Sequence, residues 1–338
     1  LLQVLGSKKY SRRLLFMYLS LTRNDKEIID LFKNLKSKDD IANILEIDVK
    51  VLNYYLYSSI NYKKFQIPKK DNSFRTIHTP SSNIKIIQKK LLYIFNLVFN
   101  PHENAFGFIK NKNIVDNALN HTNKKYILNI DLKDFFTTIH FGRIYGYFQN
   151  HYNFNKEVST IISKLVTVEE KGKTFLPQGA PTSPIISNMI AYKLDTEINK
   201  YITKFEAKYT RYADDITISS NTITFPKQIA FKDHFGDVWL HSKLTKIIKD
   251  NGFTTNYLKV RLRNYKQRQE VTGLLVNTKN PNVYHKYITN IRAILHNWES
   301  KGYEQAQERF ILKRNSHDSS YKDNVKIEHH LQGKLNFL

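Results

Sequence analysis

An α+β fold, with an antiparallel sheet packed on helices, is what this sequence predicts. Three observations carry the expectation. Tyr126–Leu132 and Thr210–Ile218 are rich in Ile, Thr and Tyr, which favour extended backbone. The second of these is interrupted at Ala213-Asp214-Asp215, where a tight turn would join two strands. Around both run segments of helical period, among them Ile28–Leu35, Ile185–Ile198 and Tyr287–Trp298.

In chain order, residues 1–60 read as mostly helical, with Ile28, Ile29, Leu31, Phe32 and Leu35 on one face. A further helix starts at Asp39-Asp40-Ile41-Ala42 and runs toward Leu56, with Asp39 or Asp40 as its cap. Strand pieces follow around Phe65 and Arg75–Ile77, then a helix over Ile84–Phe99. Tyr126–Leu132 is an apolar run with an acid, Asp131, at its end, where α/β-type sheets present ligands. Leu176-Pro177-Gln178-Gly179-Ala180-Pro181-Thr182-Ser183-Pro184 is a punctuated loop feeding the helix Ile185–Ile198. A more polar helical segment is expected near Pro226–Asn251, helical runs from about 276, and a loop in the polar tail from His317-Asp318-Ser319-Ser320 onward.

Tyr212-Ala213-Asp214-Asp215 carries the chemistry. Two carboxylates at a turn, with no base beside them, form a site of negative charge that a cation offsets. Hard divalent ions such as Mg²⁺ suit it, binding one or two carboxylates plus substrate phosphates. Asp131 adds a third acid from a separate strand end; as an isolated residue it reads equally well as a helix cap. Three such carboxylates are what a two-metal phosphoryl-transfer site needs, with ions about 3.5–4 Å apart. The Pro-Gln-Gly loop suits phosphates or nucleobases at a helix N-terminus, although alone it is a proline-rich turn.

Asp131, the Pro177-Gln178-Gly179 loop and the Tyr-Ala-Asp-Asp turn, in this order, resemble three successive polymerase motifs of the reverse transcriptases. Roughly 80 residues separate the first acid from the pair. Asn117-Ala118-Leu119-Asn120-His121 matches the Asn-Ala-x-x-His signature of the bacterial retron branch, and Val271-Thr272-Gly273 matches its Val-Thr-Gly signature. Phe74-Arg75-Thr76-Ile77-His78-Thr79-Pro80 resembles the fingers segment, and the likeness covers roughly residues 60–300. Taken alone, His121 would be a helix-face histidine and Val271–Gly273 a strand edge with a bulge.

The resemblance implies a right-hand polymerase fold: an N-terminal helical region at 1–60, fingers at 61–125, a palm at 126–275 with an inserted helical segment about 226–251, and a helical thumb at 276–338. It implies that Asp131, Asp214 and Asp215, with the backbone carbonyl of Leu132, hold two Mg²⁺ ions. Phe136 would lie against the incoming sugar, where a ring excludes a 2′-hydroxyl; the alternative is that Phe135 and Phe136 are both core. Gln178 would lie by the nucleotide. Arg75 would grip the triphosphate, for which a guanidinium is geometrically suited. Lys259 would assist pyrophosphate departure, or be a solvated base in a basic run.

Asn117, Ala118, His121, Val271, Thr272 and Gly273 are the family positions assigned to RNA recognition. The implied partners are a cognate structured noncoding RNA, its cDNA as multicopy single-stranded DNA (msDNA), dNTPs, and a neighbouring effector protein in phage defence. Synthesis would begin from a 2′-hydroxyl of the RNA and give a branched RNA–DNA product. No room is expected for an RNase H domain. The rivals are another bacterial reverse transcriptase class, of abortive-infection or group II intron type, and a non-catalytic RNA-binding scaffold. The first would lack the paired retron signatures, the second an intact acid triad.

Whole-chain properties agree. The 338 residues suffice for one large core or two to three subdomains. Fifty-three Lys and Arg against thirty Asp and Glu give a formal charge of +23, which suits a polyanionic partner. An AT-rich coding bias would also enrich Lys, Asn, Ile and Tyr. The absence of cysteine excludes disulfides and thiolate metal sites, and fits a cytoplasmic enzyme. No stretch approaches the ~20 apolar residues of a membrane span, and Leu1–Leu5 is too short for a signal peptide. The chain does not begin with Met, so residues before Leu1 are expected.

Overall fold

A computed structural model describes residues 21–57, 62–68, 73–315 and 325–337. The helical expectation for residues 1–20 and the loop expected at His317-Asp318-Ser319-Ser320 lie outside the described residues.

Three short helices come first, α1 (Asp25–Lys33), α2 (Lys38–Ile44) and α3 (Val49–Tyr57). The antiparallel pair β1 (Tyr62–Pro68) and β2 (Phe74–Pro80) and the long α4 (Ser82–Val98) follow. Next are α5 (Ile114–Leu119), β3 (Tyr126–Asp131), α6 (Phe141–Tyr152), α7 (Lys156–Val166) and the small pair β4 (Val168–Glu170) and β5 (Lys173–Phe175). Helix α8 (Ser183–Ile202) leads into β6 (Ala207–Tyr212) and β7 (Asp215–Ser220). The pair β8 (Ala230–Lys232) and β9 (Val238–Leu240) precedes α9 (Ser242–Asp250), β10 (Arg261–Asn264), and the short β11 (Glu270–Val271) and β12 (Leu274–Leu275). Helices α10 (His285–Lys301), α11 (Tyr303–Asn315) and α12 (Ile327–Leu335) end the described chain.

The central sheet has the order β10-β3-β7-β6, antiparallel throughout. Its period-2 alternation separates two faces. Leu128 and Ile130 on β3 pair with Ile218 and Ile216 on β7, and all four enter the main core, which also takes residues from α1, α4, α6, α7 and α8. On the opposite face Ile127 joins Ala118, Val271, Leu274 and Val276 in a smaller cluster. Polar residues of that face, Thr210 and Ser219, are buried as well, and His121 satisfies both. The C-terminal helices close on a third cluster of Ile291, Ala306, Ile327 and Leu331.

Two expectations need correction. The second helix is capped by Ser37, not by Asp39 or Asp40; Asp40 sits three residues in and returns a bond to the Ser37 N–H, a reciprocal capping box. It does not run on to Leu56. It stops at Ile44, because Glu46 adopts φ 49° and turns the chain before α3, its carboxylate accepting the backbone N–H groups of Thr22 and Arg23. The segment 226–251 is helical only in α9; its first half is the β8–β9 pair, with Phe231 opposite Trp239 and the turn made at Gly236, φ 89°. Asp233 nucleates that turn by accepting the N–H groups of Phe235 and Asp237.

One buried ion pair joins α8 to the sheet. Arg211 on β6 and Asp195 on α8 are 0% and 1% exposed. Arg211 Nε and Nη2 donate to the two carboxylate oxygens at 2.7 Å each, and the Tyr209 hydroxyl donates to the same carboxylate at 2.6 Å. Removing one partner of such a pair strands the other without solvent, so Asp195→Ala should cost about 3–5 kcal/mol in urea unfolding. A change within about 1 kcal/mol would show that the pair is not what binds helix to sheet.

Candidate active site

The register of the sheet brings the acids together. Asp131, the last residue of β3, lies directly opposite Asp215, the first of β7, and the Leu132 N–H donates to the Asp214 carbonyl at 3.0 Å. Acids distant along the chain thus meet at one end of the sheet.

The turn between β6 and β7 is held from beneath. Ala213 takes φ 57°, a left-handed conformation that costs a non-glycine residue energy and must be imposed by its surroundings. Arg211 Nη1 donates to the Ala213 carbonyl at 3.0 Å, while its Nη2 also reaches Asn188 at 3.1 Å. Asn188 in turn donates to the Gly107 carbonyl at 2.9 Å. Gly107 lies so close that a Cβ there would stand 2.5 Å from the Ala213 nitrogen. Residues 104–106 run beside β6, with the Arg211 N–H donating to Asn104 and the Phe106 N–H to Arg211, both at 2.8 Å.

Asp131 is occupied on both oxygens. Lys259 Nζ donates to one at 2.8 Å and Asn256 Nδ2 to the other at 3.0 Å, while the Asn256 N–H binds the Asp131 carbonyl at 2.8 Å. The bond to Asp131 pushes the Lys259 pKa up, so the ammonium stays charged. Desolvation, followed by the charges of Asp214 and Asp131, pushes Asp215 up to about 7. Asp214 is raised chiefly by desolvation and further by Asp131, while Arg75 and Lys259 pull it back. Among the described residues no three His, Cys, Asp or Glu side chains converge as a ready metal cage. The donor chemistry nevertheless fits a hard divalent cation: crowded carboxylates bear a repulsion that such an ion would relieve.

Other expected residues surround this point. Arg75 is exposed on β2, near enough for its charge to act on Asp214. The Gln178 carbonyl accepts the His78 N–H at 2.8 Å, tying the Pro-Gln-Gly loop to β2. Gly179 has φ 122°, and a Cβ there would meet Ile77 at 2.7 Å, so this loop cannot carry another residue at that position without moving. Phe135 is core, 3% exposed and stacked on Phe253 at 5.3 Å. Phe136 is only half-buried and stands beside Phe108, whose ring also neighbours Tyr212.

The expected RNA contacts are different in kind. Asn117 is 1% exposed, and Ala118, His121 and Val271 are 0%. Burial corrects the expectation of direct RNA contact by these four side chains. His121 bridges Ser219 and Thr210 at 2.7 Å each, and its burial drives the ring pKa down to about 3, leaving it neutral. The two signatures meet: Ala118 and Val271 share one cluster, and Thr272 Oγ1 donates to the Ile114 carbonyl at 3.0 Å. Only Thr272 and Gly273 keep some surface. Arg211, Asp195, Asn188, Gly107 and Asn256 were not legible as site residues. Their roles arise from contacts between distant segments, and no local pattern in the sequence marks them.

A carboxyl whose folded-state pKa lies above its ordinary value weakens the fold wherever it must be charged. For Asp215 that cost is present above pH 7 and fades as the pH falls toward the ordinary value of 3.8. In metal-free protein, Asp215→Asn should therefore raise the melting temperature at pH 8 and by progressively less toward pH 4. A gain independent of pH would contradict the charge crowding.

Residues 67–276 match the family model described as reverse transcriptase (RNA-dependent DNA polymerase). The retron Ec86 reverse transcriptase of Escherichia coli is 30% identical over 260 residues, 76% of this chain and 76% of that one. The retron Mx162 reverse transcriptase of Myxococcus xanthus is 31% identical over 287 residues, 78% of this chain and 59% of that one. The retron Ec73 reverse transcriptase of Escherichia coli is 38% identical over 174 residues, 47% of this chain and 53% of that one. The chain thus spans less than two thirds of the length of the latter two. With the family's acids side by side at the end of the sheet and its matched region covering well over half the sequence, the chain belongs to the reverse transcriptases, the RNA-directed DNA polymerases, and among them to the bacterial retron type.

Proposed function

We propose that this protein copies its own structured noncoding RNA into DNA, priming from a 2′-hydroxyl of that RNA and leaving a branched RNA–DNA product, msDNA. The single observation that carries the polymerase chemistry is the pairing of Asp131 with Asp215 across β3 and β7. The 2′-hydroxyl start and a role in phage defence beside an effector protein rest on the retron resemblance. Lack of cysteine, and of any described helix long and apolar enough to cross a membrane, is compatible with work in the cytoplasm.

In this reading residues 61–125 act as fingers, 126–275 as palm and 276–338 as a thumb tracking the duplex, behind the helical region 1–60. Asp131, Asp214, Asp215 and the Leu132 carbonyl would hold two Mg²⁺ ions. When bound, such ions lower the pKa of the attacking hydroxyl and neutralise the triphosphate. An ion there would take the place at Asp131 that Lys259 fills. Lys259, freed and still protonated, offers an Nζ proton to the departing pyrophosphate. Arg75 supports the triphosphate as a two-pronged donor, Gln178 borders the incoming nucleotide, and the Phe136 ring excludes a 2′-hydroxyl. Asn117, Ala118, His121 and Val271 shape the surface on which Thr272 and Gly273 meet RNA, rather than touching it.

Asp214→Asn combined with Asp215→Asn should abolish cDNA synthesis while RNA binding is largely kept; persistent synthesis would refute the site. Phe136→Ala should admit ribonucleotides in primer extension, and an unchanged deoxynucleotide preference would reduce the ring to packing. A branched, RNase-sensitive DNA copurifying with the chain would support the retron product, and a linear DNA would count against it.

A further inference from the structure

Away from the acids, at the free edge of the central sheet, β10 and the β8–β9 pair enclose a groove of about 490 Å³. Its lining combines exposed rings with unpaired cations. Trp239 is 45% exposed and Tyr257 38%, with ring centroids 5.4 Å apart, and Leu258 beside them is 87% exposed. Lys232, Arg261 and Arg263 border the same groove, against one carboxylate, Asp237. Among the described residues none of these three cations has a carboxylate partner; the two arginines reach only backbone carbonyls.

The rings are held rigid by their polar ends. The Trp239 indole N–H donates to Asp233 at 2.9 Å, and the Tyr257 hydroxyl lies 3.2 Å from Thr245 Oγ1. Exposed aromatic surface on fixed rings costs little conformational entropy to engage, and every nucleobase offers a face to stack. Flanking guanidinium and ammonium groups complement phosphates. A protein partner would be expected to meet a more continuous apolar patch, without this excess of cations.

We propose that this groove binds a short run of unpaired nucleotides, bases on Trp239 and Tyr257 and phosphates on Lys232, Arg261 and Arg263. One turn links the groove to the acids without bringing them into its lining. Tyr257, Leu258 and Lys259 form one 3₁₀ turn, so the segment offering the ring and Leu258 also supplies the ammonium on Asp131. The proposal rests on the nucleic-acid partner inferred above, not on the chemistry at Asp131.

The test is fluorescence anisotropy with a labelled 12-nucleotide RNA of mixed sequence and the DNA of the same sequence, each with excess unlabelled blunt RNA–DNA duplex to fill the duplex site. Trp239→Ala should weaken binding roughly fivefold or more, since a stacked base is worth about 1–3 kcal/mol. Trp239→Phe should restore most of it. Leu258→Glu, which removes no packing, should weaken binding by repelling phosphates. Loss with RNA alone assigns the groove to RNA, and equal loss with both assigns it to either strand. Wild-type binding of both oligonucleotides by Trp239→Ala and Leu258→Glu would overturn the proposal, as would a loss confined to a copurifying protein. If wild-type protein fails to extend oligo(dT) on poly(rA), the polymerase reading fails while the groove is judged by binding alone.

Discussion

The Arg211–Asp195 pair is the interaction on which the site depends. A guanidinium taken fully out of water must be met by a carboxylate and by further acceptors, and this one has Asp195, Asn188 and the Ala213 carbonyl. Its demands therefore set three things together: the seat of α8 on the sheet, the close approach of Gly107, and the left-handed backbone at Ala213. A turn with so many neighbours cannot drift, and the acids that follow it inherit that rigidity. Precise chemistry at a hairpin tip needs this kind of support, because a free turn would wander by more than the tolerance of a reacting geometry.

Charge balance explains the state of the acids. Three carboxylates at one end of a sheet repel one another, and the protein answers in two ways. Protons are held more tightly on Asp214 and Asp215, and Asp131 is covered by Lys259 and Asn256.

The retron signatures illustrate how a family pattern can mark architecture instead of contact. Asn-Ala-x-x-His and Val-Thr-Gly lie some 150 residues apart, yet they pack together on the polar face of the sheet. Neutral His121, bonded on both ring nitrogens, is a strut between the turn after α5 and two strands. Whatever this surface binds, its shape follows from that buried joint.

The sequence by itself determined the strand-turn-strand around Ala213, the strand ending at Asp131 and the helix after the Pro-Gln-Gly loop. Each follows from local propensity and punctuation within a few residues. It also singled out Asp131, Asp214 and Asp215 as candidates, since each stands in a recognisable local motif. Only the tertiary structure decided that Asp131 faces Asp215, that Arg211 clamps the turn through α8, and that Asn256 and Lys259 close over Asp131. The same holds for the break after Ile44, where Glu46 answers to Thr22 and Arg23, and for the strands at 230–240, which pair across Gly236 in a stretch whose composition reads as helix. The physical reason is common to all of them: a hydrogen bond or ion pair between segments far apart in sequence leaves no periodicity in either one. Its energy appears only when the core has brought the two together.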